Sequence, residues 1–238
     1  MLVGVLLWNP PRPRVGRPTA VATADLIVIR HGRTFMNDHL AQPGKEWGTP
    51  GFVDPGLWDT SLTPAGEDQA RVLNEQLKLA GVHIDLLVAS PLRRALQTAD
   101  IAFADVRCHA REVTPLAAER CFLSSDVGSP LDELKRRHGP EWGLDSLSDG
   151  WWYQADDSQG EWRPPGEYLY AGEPDTAFYS RMRRLLAYLR SKAGGGGCVA
   201  LVAHWGVIYA LTGRSLQNAE CITLASTELT AEPFRIPD

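Results

Sequence analysis

The sequence predicts an α/β fold, a three-layer α/β/α sandwich with a mostly parallel central sheet. Three observations carry that expectation. Leu26–Arg30, Ile84–Ala89 and Cys198–Ala203 are apolar runs of strand length, rich in aliphatic and β-branched residues. Stretches of helical period lie between them. At 238 residues, with 44% hydrophobic and 22% charged, the chain is long enough to bury one large core. Alternating strands and helices imply right-handed crossovers and a sheet covered on both faces.

The elements follow in order. Before Asp25 there is no acid, and Pro10, Pro11 and Pro13 interleave with Arg12, Arg14 and Arg17. Residues 1–24 read as a flexible extension. The apolar octet Met1 to Trp8 precedes its positive charges, the reverse of a secretory signal; an organelle-targeting leader is the alternative. After the first strand, residues 38–62 form a long loop carrying Trp47 and Trp58, and loops of this length tend to be functional. Thr63-Pro64 is an N-cap with proline at the first helical position. Ala70, Leu73, Leu77 and Ala80 form one apolar stripe, and Gly81 is a natural stop.

The second strand, Ile84–Ala89, leads into Ser90-Pro91, a repeat of the cap signature. It opens a helix with Leu92, Ala95, Leu96, Ala99 and Phe103 inward. Arg93 and Arg94 then fall in the first turn, where the helix is already partly positive, and an anion must offset them. Glu112–Leu116 reads as a weak strand leading to Glu119-Arg120. Residues 121–172 show little periodicity beyond a short helix near Pro130–Arg137 and carry Trp142, Trp151, Trp152 and Trp162. This stretch reads as a loop-rich insertion over the site, too poor in aliphatics for its own core, so residues 25–238 form a single domain. Phe178, Met182, Leu185, Leu186 and Leu189 mark a helix of about five turns. The third strand runs into His204-Trp205-Gly206, Val207–Leu211 is a short helix, and Ile222–Leu229 is a final strand.

The net charge of -5 argues against nucleic acid or an anionic membrane as partner, so any bound anion meets a local cation cluster. No stretch reaches the roughly 20 apolar residues of a membrane span. Cys108, Cys121, Cys198 and Cys221 include no CxxC pair, which points to reduced thiols in a cytoplasmic protein; Cys198 and Cys221 read as core. His39, His83, His109 and His138 lack metal-ligand spacing and read as surface or loop residues.

Three strand ends thus deliver Arg30-His31, Ser90 to Arg94, and His204 to one edge of a parallel sheet, the edge where α/β proteins bind ligands. Leu26 to Asn37 resembles the RHG(x)T(xx)N signature of the histidine phosphatase superfamily, the phosphoglycerate mutase-like fold. Asp59 to Gly66, Ala89 to Ala99 (ASPLRRALQTA), Glu119 and Val202 to Gly206 agree in type and order. The resemblance covers roughly residues 25–225. It implies a phosphatase that hydrolyses phosphomonoesters. His31 is the nucleophile that forms a phosphohistidine; Arg30, Arg94 and His204 clamp the phosphoryl oxygens, with Asn37 a further contact. One carboxyl group serves as acid and then base. Trp205 follows the second histidine where one branch of the family has Asp, so the resemblance points to Glu119, with Glu112 and Glu133 as rivals. Arg93 reads as solvent-facing or supporting. Neither cofactor nor metal is required, and the partner is a small phosphorylated metabolite or a phosphoprotein.

Two other functions remain open from sequence. The segment after Glu119-Arg120 departs from the ERHYG pattern of the family's mutases, which weakens a phosphoglycerate mutase. A non-catalytic phosphate-binding protein on the same fold is the other alternative. Trp151 and Trp152 read either as structural or as walls of the substrate pocket. Neither the substrate nor the oligomeric state is legible.

Overall fold

The computed structural model describes residues 25–154 and 165–231, so the expectations for residues 1–24 and for Trp162 lie outside the described residues. Five strands form one sheet: β1 (Leu26–Arg30), β2 (Ile84–Ala89), β3 (Cys108–Val113), β4 (Val199–Ala203) and β5 (Cys221–Leu224). Their order is β3-β2-β4-β1-β5. The first four run parallel, and β5 closes one edge antiparallel to β1.

Side chains alternate across a strand, so β1 feeds two cores. Ile27 and Ile29 pack with residues of α2 (Pro64–Leu79) and α3 (Arg93–Ala102). Leu26 and Val28 pack with residues of α5 (Asp175–Ala193) and α6 (Trp205–Thr212). The result is the three-layer sandwich. Leu134, from α4 (Leu131–His138), joins Trp142, Leu144, Leu147 and Trp151 in the same cluster as α2 and α3. The 121–172 stretch therefore extends the main core.

Capping chemistry sets the helix starts. Thr63 Oγ1 accepts the Gly66 N–H, with Pro64 at the first position, as the sequence predicts. A six-residue helix, Phe35–Leu40 (α1), occupies the beginning of the stretch read as loop. Thr34 and Asn37 form its capping box, a signal too short to show against the loop that follows. β3 begins at Cys108 instead of Glu112; as an edge strand with exposed residues it lacks the buried pattern that marks the others. The last strand stops at Leu224, because the Asp25 carboxylate takes the Ser226 N–H and hydroxyl and turns the chain into a 3-10 turn.

Two burial expectations change. Cys121 is the buried thiol, whereas Cys198 and Cys221 are half-buried against the core. The His138 side chain is 7% exposed, held at 3.1 Å by Asp100 Oδ2, so it is not a surface histidine. Among the described residues no helix is long and apolar enough to cross a membrane.

Candidate active site

The sheet register brings the three strand ends together. His31 N–H donates to Ala203 O, and Ser90 N–H donates to Val202 O, each at 3.0 Å. His31, Ser90 and His204 therefore leave β1, β2 and β4 side by side. The rings of His31 and His204 stand 5.1 Å apart.

His31 Nδ1 lies 2.7 Å from Gly32 O. A carbonyl can only accept, so Nδ1 carries the proton and Nε2 the lone pair. Burial, with the positive charges of Arg94 and Arg30, holds the His31 pKa well below the ordinary histidine value. The ring is neutral and nucleophilic at Nε2. Its loop is pinned from several sides. Gly32 N–H donates to Thr98 Oγ1 at 2.9 Å, and that hydroxyl donates to Arg94 O at 2.7 Å. Asn218 Nδ2 donates to His31 O at 3.1 Å and to Asn37 Oδ1 at 3.2 Å. Asn37 spends its carbonyl on this contact and on the Thr34 N–H.

The cations divide into one held and one open. Arg94 is 4% exposed, and its three nitrogens are engaged by His204 Nδ1, Ser125 O and Asp126 Oδ1. Arg30 donates through Nη1 to Leu216 O at 2.7 Å, while its buried Nε has no hydrogen-bond partner. An unpaired buried guanidinium nitrogen at a strand end is costly unless an anion comes to it. His204 is fully buried, and both ring nitrogens are taken, Nδ1 by Arg94 Nε–H at 3.2 Å and Nε2 by Ser90 Oγ at 2.7 Å. Since arginine only donates, Nδ1 accepts and the proton sits on Nε2. Burial and Arg94 keep the His204 pKa well below its usual value, so it brings a dipole to the site and no charge.

Of the three candidate acids, only Glu119 reaches the histidines' cavity. Its Oε1 accepts the Arg120 N–H at 2.9 Å and its Oε2 the Gly206 N–H at 3.1 Å. Burial, then repulsion from Asp126, raise its pKa above the ordinary carboxylate range. Glu112 faces Tyr188 and Lys192, and Glu133 pairs with Arg137 along α4. Arg120 turns to Glu173 O and Asp175. The loop bearing Glu119 is stapled by Arg181, which donates to Leu116 O, Ala118 O and Glu119 O and forms a double bridge with the buried Glu173.

The anion that the first turn of α3 requires is supplied internally. Ser90 does not cap that helix, which begins at Arg93; its hydroxyl serves His204. Asp59 Oδ1 accepts the Arg93 N–H at 2.8 Å, while Oδ2 takes the N–H and hydroxyl of Ser129. Asp126 pairs with Arg94 and accepts the Phe122 and Leu123 N–H groups. Sequence reasoning missed Asp59, Asp126, Arg181, Thr98 and Asn218. Thr98 and Asp59 sat inside the recognised motifs; Arg181 and Asn218 carried no local signal.

Arg30, His31, Asn37, Arg94 and Glu119 line one cavity of about 340 Å³. His204 stands behind it. Trp151 is core, with Nε1–H on Ser129 O, and with Trp152 it lines a neighbouring cavity of about 530 Å³ that among the described residues shares Glu119 and Asp126 with the first.

A sequence profile described as "Histidine phosphatase superfamily (branch 1)" matches residues 26–231. A broad-specificity phosphatase of Saccharomyces cerevisiae is 37% identical over 73 residues, 31% of this chain and 26% of that protein. A 2,3-bisphosphoglycerate-dependent phosphoglycerate mutase of Corynebacterium kroppenstedtii is 37% identical over 82 residues, 34% of this chain and 28% of that protein. The chain thus matches less than a third of each relative's length. The ecdysone phosphate phosphatase of Bombix mori shares the fold, with a TM-score of 0.58 at 17% identity over 90% of this chain and 95% of that one. The strand-end histidines, their register and the profile match over most of the chain agree: the protein belongs to the histidine phosphatase superfamily.

Proposed function

We propose that the chain hydrolyses phosphomonoesters in two steps, through a phosphohistidine on His31. A phosphomonoester carries about -1.5 to -2 charges at neutral pH, which Arg30 and Arg94 offset. His31 Nε2 attacks phosphorus, the bond to the leaving oxygen breaks, and the Glu119 carboxyl gives that oxygen its proton. The Glu119 carboxylate then takes a proton from water, whose oxygen attacks phosphorus as the P–Nε2 bond breaks. Inorganic phosphate leaves, and both residues return to their starting states.

His204 acts through Arg94 in the free site. Its Nδ1 accepts the Arg94 Nε–H and its Nε2–H is held by Ser90 Oγ, so it orients the guanidinium that meets the phosphoryl group. Asn37 contributes its Nδ2 amide as a further donor. The observation that carries the reading is the His31 Nδ1–H bond to Gly32 O, which aims a free lone pair into the cavity that Glu119 lines.

A chromogenic phosphomonoester assay tests it. The expected result is phosphate release by the intact protein and a loss of at least about 10³-fold in His31→Asn. Release unaffected by that substitution refutes the nucleophile. Binding of phosphate with no turnover by the intact protein favours the non-catalytic alternative. Interconversion of phosphoglycerates primed by 2,3-bisphosphoglycerate favours the mutase.

A further inference from the structure

Resting on the phosphatase reading, we infer that the leaving group this site takes is neutral and apolar, aryl or alkyl, and packs against two aromatic pairs. The reacting groups share the cavity of about 340 Å³ with a set of aromatic and aliphatic side chains. Among these Trp47 packs on Phe122, ring centres 5.4 Å apart. Trp205 stacks on Tyr209 at 5.2 Å, 10° from parallel. Met36 and Leu40 line the cavity as well.

Among the described residues three arginines line this cavity, Arg30, Arg94 and Arg120. Arg30 and Arg94 serve the phosphoryl group. Arg120 holds Asp175 at 2.7 Å and Glu173 O at 2.9 Å, and its guanidinium lies 4.6 Å from the Phe122 ring. A second anionic group on the substrate would therefore meet, among the described lining residues, no cation beyond an Arg120 whose charge Asp175 already offsets, and would face the carboxyl groups of Glu119 and Asp126. The neighbouring cavity carries Arg181 and Arg184 but excludes His31, Arg30 and Arg94, so a phosphoryl group bound there is away from the nucleophile. Trp205 is the residue that stands where one branch of the family places its acid; here that position supplies stacking surface.

Binding of non-hydrolysable phosphonates to the wild-type protein, by calorimetry, separates this inference from the hydrolase reading. Benzylphosphonate should bind at least about tenfold tighter than methylphosphonate. In an alkyl series each buried methylene should add roughly fourfold. Trp47→Ala and Trp205→Ala should each lower the benzyl-to-methyl ratio by about three- to tenfold, while Trp58→Ala, outside the cavity, should keep it. Tighter binding of 3-phosphonopropionate than of benzylphosphonate, or a benzyl preference that survives both substitutions, overturns the inference. The predicted preference without hydrolysis of benzyl phosphate supports the apolar subsite and refutes the hydrolase. No binding of any of the three refutes both.

Discussion

Gly206→Ala is the substitution that isolates the acid. Gly206 is the second residue of α6, and its N–H holds Glu119 Oε2 at 3.1 Å. An added Cβ would stand 2.6 Å from Glu119 Oε1, so the carboxyl must retreat by about 0.8 Å to reach the 3.4 Å of ordinary contact. A displacement near 1 Å at a reacting group costs about 10²-fold, within the roughly 10² to 10⁴ that a positioned acid contributes. We expect kcat for an alkyl phosphate, whose leaving oxygen needs the proton, to fall about 10- to 10²-fold. The first turnover of p-nitrophenyl phosphate should stay fast, because nitrophenolate leaves without a proton. Stopped-flow and steady-state rates on the two substrates make the comparison. Alkyl phosphate turnover within twofold of wild type would refute the placement of Glu119 as proton donor.

Thr98→Val removes the acceptor of the Gly32 N–H, and a buried unsatisfied donor costs about 1–3 kcal/mol; urea denaturation should show that loss, with kcat lowered as the His31 loop loosens. Arg181→Ala strands the buried Glu173 and should cost about 3–5 kcal/mol, whereas adding Glu173→Gln should recover part of it; a double variant less stable than the single contradicts the pairing. The histidine pKa values set a pH slope. Folded His31 and His204 stay neutral below 6.5 while the unfolded chain takes up protons, so stability should fall as pH drops from about 6.5 towards their lowered values. The slope is up to about 1.4 kcal/mol per pH unit for each histidine, and it should shrink in His31→Asn when the two denaturation series are compared. Glu119 is protonated to higher pH than an ordinary carboxyl, so the alkaline limb for alkyl phosphates should lie above the usual carboxylate range, and Glu119→Gln should abolish it.

What the sequence made legible was local. Thr63-Pro64 and the apolar stripe of α2 sit within one helix, and the strand ends at Arg30-His31 and His204 announce themselves by polarity after a buried run. The arginines after Ser90 raised a correct physical question, which anion faces them. Its answer lay in Asp59 and Asp126, 34 and 32 residues away and in loops without period. Arg181 looked like any cation on an amphipathic helix; only the fold turns it onto the carbonyls that carry Glu119. Serine before proline is a helix-cap signature, yet the partner that claims Ser90 is His204, at the end of β4 and 114 positions on.

If phosphate passes through His31 Nε2 and Glu119 is needed to remove it, a Glu119→Gln variant traps the phosphoryl group on the protein. Rapid quench of Glu119→Gln with p-nitrophenyl phosphate measures this directly. The expected result is a burst near one nitrophenol per protein and a phosphoryl group mapped to His31, at Nε2 by phosphorus NMR, that persists. A phosphoryl group on another residue, or steady turnover with none trapped, would contradict it.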